Sequence, residues 1–313
     1  MSHICPDVVG ARVTVRRRVE GALSDVVGDL ESLDDANVAV RTPAGSLVTV
    51  DRADVLAARV VGPSPREAVE IEGFAARGWP APDSHWIGQW WLRCAGGFTA
   101  RANSVRPLGS PGVPLDEALE AVAAWYGKRG LPPRVQVVVG SSLDRELARR
   151  GWPAAPQVSV MTTTLARVAS RLSGSGVPSA EVARIEVASA TSSAWLTLFR
   201  GGDAPQLARA ILDGPPIVGF ATSVDDAGAP VAIGRAAVEP PWVGFTALEV
   251  APAMRRRGYG RAVMAQLTSW SRERGALRAY LEVVATNEPA IALYESLGFT
   301  EHHRYACREA PSR

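Results

Sequence analysis

The segment Phe245-Thr-Ala-Leu-Glu-Val-Ala-Pro-Ala-Met-Arg-Arg-Arg-Gly-Tyr-Gly-Arg261 constrains this chain more than any other stretch. An apolar run enters a proline-containing turn, and Val263, Leu267 and Trp270 then recur at helical spacing, so a strand leads through a tight turn into a helix. Gly258 and Gly260 bracket Tyr259 where that helix begins. Lacking side chains, they let backbone N–H groups approach an anion closely, and the helix directs the positive end of its dipole to the same point. Arg255, Arg256, Arg257 and Arg261 can add charge-assisted hydrogen bonds to phosphate oxygens. The pattern is a pyrophosphate cradle. It is not a dinucleotide fingerprint, which would need a third glycine where Val263 stands, and no Gly-Lys-Ser/Thr occurs, so NAD and ATP are disfavoured.

A second segment, Leu281 to Phe299, reads as a strand ending at Ala285 and a helix. Asn287 can cap the helix, Pro289 suits its first turn and Gly298 ends it. Ala290, Ile291, Leu293, Tyr294 and Leu297 form its apolar face. Two carboxylates, Glu249 and Glu282, interrupt otherwise apolar strands. Burying an unpartnered carboxylate is costly, so each is expected to be paired, solvent-reaching or functional. Strict alternation places Glu249 on one face with Phe245 and Ala247, and Glu282 on one face with Tyr280 and Val284.

The combination Arg255-x-x-Gly258-x-Gly260, after a strand and before an apolar-faced helix, resembles motif A of the GNAT superfamily of N-acetyltransferases. The resemblance implies an α/β (α+β) fold with a mixed central sheet and acetyl-CoA as co-substrate, without a metal. It further implies that backbone groups of Leu248, Glu249 and Val250 pair with the pantetheine arm, and that the turn from Arg255 through Arg256, Arg257, Gly258, Tyr259 and Gly260 to Arg261 holds the pyrophosphate. The 281–299 stretch is similar to the superfamily's second CoA-contacting motif, especially that of the ribosomal-protein N-terminal alanine acetyltransferases. That likeness implies that Asn287 contacts pantetheine and that Tyr294 lies by the thioester sulfur. A phenol there can donate its proton to the departing thiolate, a core tyrosine being the alternative. Glu282 matches the base position of the alanine acetyltransferases, and Glu249 lies on the strand where other GNAT enzymes carry theirs. An arginine-paired structural role is the alternative for either.

Length and pattern divide the 313 residues into parts. Residues 1–65 alternate like short strands and resemble the SH3-like β-barrel at the start of some actinobacterial acetyltransferases. Residues 66–165 begin with an amphipathic helix at Arg66 to Arg77 and a tryptophan-rich hairpin at Trp86 to Val105. Residues 166–182, with Ser170 to Ser179 rich in Ser and Gly, read as a linker before the catalytic part at 183–313. Trp125 and Trp270, 145 positions apart, each precede an Arg-Gly pair, an apolar strand, and a helix ending in Gly151-Trp152 or Gly298-Phe299. This echo identifies 66–165 as a degenerate GNAT-like lobe. At the same offset Arg255, Gly258 and Gly260 fall on Ser110, Val113 and Leu115, so the first lobe lacks a cradle and one acetyl-CoA per chain is expected. Trp86 to Trp91, Arg93 and Asn103 are candidates for a wall of the amine pocket. The layout resembles actinobacterial tandem GNAT proteins described variously as histone-type acetyltransferases or N-acetylglutamate synthases.

A balance of 34 basic and 32 acidic residues gives no electrostatic reason for nucleic-acid or membrane binding. Cys5, Cys94 and Cys307 are scattered, without metal-ligand spacing or a disulfide framework, and no leader or long apolar run occurs, so a soluble cytoplasmic protein is expected. The expected acceptor is a primary amine of a protein, peptide or amino acid, glutamate included; homodimerisation is left open. A reading from another class is a CoA-sensing or interaction protein without turnover.

Overall fold

The computed structural model describes residues 4, 9, 11–42, 44–61, 64–173, 185–202 and 207–311, with backbone only at 201 and 202. Cys5 and His3, and the linker expected at 166–182 beyond residue 173, lie outside the described residues. Two units are distinguished, residues 1–64 and 65–313.

The first unit is a small, barrel-like antiparallel sheet of β1 (Arg12–Val19), β2 (Ala22–Leu33), β3 (Asn37–Arg41), β4 (Leu47–Asp51) and β5 (Val55–Val60), in the order β4-β3-β2-β1-β5. Glu20 and Gly21, both at positive φ (49° and 83°), make the tight β1–β2 turn whose twist matches that of the strands it joins. Alternation puts Val13, Val15, Val26, Leu30, Val38, Val40, Val50 and Ala58 into one core.

The second unit begins with α1 (Pro65–Gly78), β6 (Asp83–Ile87), β7 (Trp90–Cys94), β8 (Arg106–Pro107), α2 (Leu115–Gly127), β9 (Arg134–Val138), α3 (Ser142–Arg149), β10 (Val158–Thr164) and α4 (Leu165–Ser173). It continues with β11 (Ile185–Ala188), α5 (Ser193–Leu198), α6 (Leu207–Leu212), β12 (Val218–Val224), β13 (Pro230–Glu239), β14 (Trp242–Val250), α7 (Tyr259–Arg272), β15 (Arg278–Val284), α8 (Glu288–Ser296) and β16 (Thr300–Glu309). Strands β6, β7 and β8 form a small sheet. The others form one eight-stranded sheet ordered β11-β12-β13-β14-β15-β10-β16-β9, mixed because β14 and β15 alone run parallel. Helices α4 and α7 pack on one face, through Val168, Leu172, Val263, Met264 and Leu267. On the other, Ile71 and Ala75 of α1 meet Trp242 and Tyr280, and Trp195 of α5 and Ile211 of α6 meet Phe220 and Ile233.

The series α2–β9–α3–β10 repeats as α7–β15–α8–β16, and the last strands of the two series trade places. β10 pairs with β15, and β16 pairs with β9. One sheet therefore crosses the span that the sequence divides into two lobes.

Candidate active site

Strands β14 and β15 pair from Trp242↔Arg278 to Phe245↔Leu281 and then part, although β14 continues to Val250 and β15 to Val284. The separation opens a fork in the sheet. Just there β14 carries a bulge: Ile233 pairs with Glu249 and Arg235 with Thr246, so Gly234 faces both Ala247 and Leu248. Ala247 sits at φ 53°, a conformation rare outside glycine. The bulge reverses the alternation read from sequence. Phe245, Leu248 and Val250 pack toward α7, whereas Ala247 turns to the opposite core and Glu249 follows it, so Glu249 does not share a face with Phe245.

Beyond the fork the chain turns through Arg255 to Gly258, and Gly258 caps α7 at φ 90°. Arg255, Arg256 and Arg257 are exposed, and no acidic residue occupies the first turn of α7. At Gly260 a Cβ would lie 3.5 Å from Leu293 Cδ2 and 3.8 Å from Val250 Cγ2, ordinary packing contacts that leave room for a methyl group. Arg255 Nε donates to Val250 O (3.3 Å), while Arg261 Nη1 is engaged with Ser296 Oγ of α8 (2.8 Å). Tyr259 is buried in the core, leaving its backbone for an anion.

Asn287 caps α8 as its position implies, Oδ1 accepting from the Ala290 N–H (3.3 Å). The Tyr294 ring meets Phe299 edge-on with centroids 5.9 Å apart, and burial pushes its phenol up to about 12. At neutral pH it holds its proton.

The two carboxylates have different surroundings. Glu249 is half-buried, and both its oxygens accept from the Arg200 backbone N–H (3.2 Å each). Burial raises its pKa, and the Arg200 N–H and the charge of the Arg200 side chain oppose part of the shift. The Glu282 side chain is 1% exposed, with Arg101 Nη1 at 3.0 Å and Arg106 Nη2 at 3.8 Å. Arg106 also pairs with Glu72, which meets His303 Nε2 at 2.9 Å, and His303 Nδ1 lies 2.8 Å from His302 Nδ1. Burial and Arg106 lower the His303 ring to about 4.

Arg93 and Asn103, singled out from sequence, are scaffold. Arg93 is fully buried against Ser104 O and Gln136 Oε1, and Asn103 ties together the loop between β7 and β8. The residue this loop delivers to the fork is Arg101, which carries no motif and could not be singled out by spacing. Among the described residues no group of three or more His, Cys, Asp or Glu could hold a metal, and no helix is long and apolar enough to cross a membrane.

Comparison with known proteins accords with this geometry. The family described as "Probable histone acetyltransferase Rv0428c C-terminal" matches residues 67–308, and the "Rv0428c N-terminal Sm-like domain" matches residues 7–59. The chain is 32% identical to "Probable histone acetyltransferase Rv0428c" of Mycobacterium tuberculosis, over 97% of this chain and 96% of that protein. It is 30% identical to an uncharacterized N-acetyltransferase, YobR, of Bacillus subtilis, over 75% of this chain and 96% of that one. Two solved structures share the fold at low identity. A GCN5-related N-acetyltransferase from Kribbella flavida aligns at TM-score 0.55 and 17% identity, over 80% of this chain and 98% of that one. A tandem GNAT protein from the clavulanic acid biosynthesis pathway aligns at TM-score 0.54 and 15% identity, over 81% of this chain and 92% of that one. The forked mixed sheet, the glycine turn and these matches together establish that the chain belongs to the Rv0428c family and is a GNAT N-acetyltransferase.

Proposed function

We propose that the protein uses acetyl-CoA to acetylate a primary amine by direct attack in a ternary complex, with Glu249 as general base and Tyr294 as general acid. The observation that carries this reading is the fork, an open strand edge running straight into a glycine-capped helix N-terminus. Acetyl-CoA would supply an acetyl thioester. Backbone groups of Leu248, Glu249 and Val250 suit an extended amide-bearing arm, and Asn287, at the start of α8 just after β15, is the further candidate contact. The N–H groups of Gly258, Tyr259 and Gly260, with Arg255, Arg256 and Arg257, suit a pyrophosphate. Arg261, tied to Ser296, fixes the cradle against α8 and adds charge.

Glu249 is preferred as the base because its pKa is raised and its carboxylate is not paired with a cation, whereas Glu282 is held in ion pairs with arginines. The amine nitrogen gives one proton to Glu249, Tyr294 gives one to the departing sulfur, and exchange with solvent restores both groups. In the 66–165 lobe the first turn of α2 carries Asp116 and Glu117, which repel phosphate, supporting a single cofactor site per chain. The acceptor is an amine of a protein, a peptide or an amino acid such as glutamate. The test is thiol release from acetyl-CoA over an amine panel. Amine-dependent release supports the reading, and acetyl-CoA binding without any release would assign a CoA-sensing role instead.

A further inference from the structure

Resting on that reading and deepening it, we propose that the acceptor amine carries a carboxylate, recognised at the fork by Arg101 and Arg200. The loop between β7 and β8 is built to hold one shape. Asn103 Oδ1 accepts from Ala95 N (2.8 Å) and Gly97 N (3.0 Å), and its Nδ2 donates to Phe98 O (2.9 Å) and Thr99 O (2.8 Å). Gly96, Gly97 and Thr99 all adopt positive φ (54°, 86° and 60°), and Trp79 Nε1 donates to Thr99 Oγ1 (3.2 Å). A non-glycine residue in that region persists only where its surroundings over-determine it.

The loop delivers two side chains. Arg101 reaches Glu282, the first β15 residue past the last β14–β15 pair, so its guanidinium stands at the fork. It remains 22% exposed, and Glu282 together with a hydrogen bond to the Tyr305 hydroxyl engages only part of its five-donor fork. Phe98 lies under the guanidinium of Arg200, whose Cζ is 5.1 Å from the ring centroid. Arg200 itself is at φ 53°, its backbone N–H on Glu249 and its side chain exposed. Among the described residues no carboxylate is in ion-pair contact with the Arg200 side chain, whose charge acts on Glu249 only through space.

The local charge favours an anion. Arg93, Arg101, Arg106, Arg200 and Arg235 gather on this side of the sheet against Glu72, Asp213, Glu249 and Glu282. Arg235 bonds only to neutral oxygens, of Leu212 (2.9 Å), Gly78 (3.0 Å) and Thr246 (3.2 Å), and Arg93 likewise to Ser104 O (3.4 Å) and Gln136 Oε1 (3.3 Å). Glu282 and Asp213 act on these two arginines only at a distance, and in low-dielectric surroundings the remaining excess of positive charge favours an anion at the fork. An amine that brings its own carboxylate meets that excess with two guanidinium groups and presents its nitrogen to Glu249. A purely cationic side chain does not.

The test compares kcat/KM for matched acceptors, free amino acids against their carboxamides and decarboxylated amines, each across a pH profile that corrects for the ionisation of its amine. The carboxylate-bearing member is expected to be preferred roughly ten- to a hundred-fold, as for a charge-assisted hydrogen bond. Arg200→Gln should erase the preference by raising KM selectively for that member, while loss of the Arg200 charge moves the Glu249 acid limb of both members alike; Arg200→Lys should restore part of the preference, and the acetyl-CoA dissociation constant should not change. Arg101→Gln should act likewise; Arg200, being exposed, keeps the test decisive if Arg101→Gln does not fold. Equal kcat/KM for matched acceptors, no acetylation of any carboxylate-bearing amine, or equal losses on both members in Arg200→Gln would overturn the inference while leaving acetyl-CoA chemistry intact. Failure of the wild type to bind acetyl-CoA in calorimetry would overturn both.

Discussion

The backbone N–H of Arg200 reaches both carboxylate oxygens of Glu249, at 3.2 Å each. The arrangement aims a half-buried carboxylate without neutralising it. Because Arg200 lies beyond α5 and Glu249 at the end of β14, the proposed base is oriented by tertiary packing and not by its own strand.

The first prediction is a pH dependence. Burial raises the Glu249 pKa, so its carboxylate forms only as pH climbs past a value above the usual glutamate range. The acid limb of kcat/KM should sit above that range and vanish in Glu249→Gln, with a loss of about 10²- to 10⁴-fold. Retention of the limb in Glu249→Gln together with its loss in Glu282→Gln would reassign the base.

Glu282 should instead register in stability. Its side chain is 1% exposed between Arg101 and Arg106, so Glu282→Gln leaves uncompensated buried charge and should cost about 3–5 kcal/mol. Urea denaturation measures this, and a change near zero would exclude a structural ion pair.

Tyr294→Phe keeps the ring against Phe299 and removes only the proton. It should lower kcat by roughly ten- to a thousand-fold with acetyl-CoA affinity unchanged. Steady-state kinetics at saturating acetyl-CoA would refute the general-acid role if kcat held.

The cradle is tested most cleanly at Gly260, where a Cβ meets nothing closer than 3.5 Å. Gly260→Ala should fold normally, and Gly260→Asp should fold and lose acetyl-CoA binding because it adds a negative charge to the turn proposed to hold the pyrophosphate. At Gly258, φ 90° strains any side chain, so Gly258→Asp should lose both binding and stability. Wild-type titration should saturate at one equivalent. With ligand near a hundred times Kd, the single site should add about 2.7 kcal/mol. Unchanged affinity in folded Gly260→Asp, or two equivalents per chain, would contradict the assignment.

His303 should make the protein acid-sensitive. Its folded value, near 4, lies below the ordinary 6.5, so the unfolded chain binds a proton that the folded chain does not. Stability should therefore fall as pH drops from about 6.5 toward 4 and level off below. Denaturation across that range should show a shallower decline in His303→Gln, and an identical slope would assign the effect elsewhere.

By itself the sequence determined what depends on near neighbours in the chain. The Gly258 turn into α7, the Asn287 cap of α8, the buried spacing of Val263 and Leu267, and the α1 helix can all be read there, because caps, turns and helical periodicity are settled within a few residues. The repeated helix–strand order was readable for the same reason. Tertiary structure alone decided the rest. Whether Glu249 faces α7 or turns away depends on a bulge opposite Gly234, and one extra residue reverses every side chain beyond it. Arg101 and Arg106 meet Glu282 only because β10 enters the sheet beside β15 and brings the first series of elements against the second. Strand pairing of this kind is chosen by which apolar faces can be buried together, a property of the whole assembly that no short window of sequence contains.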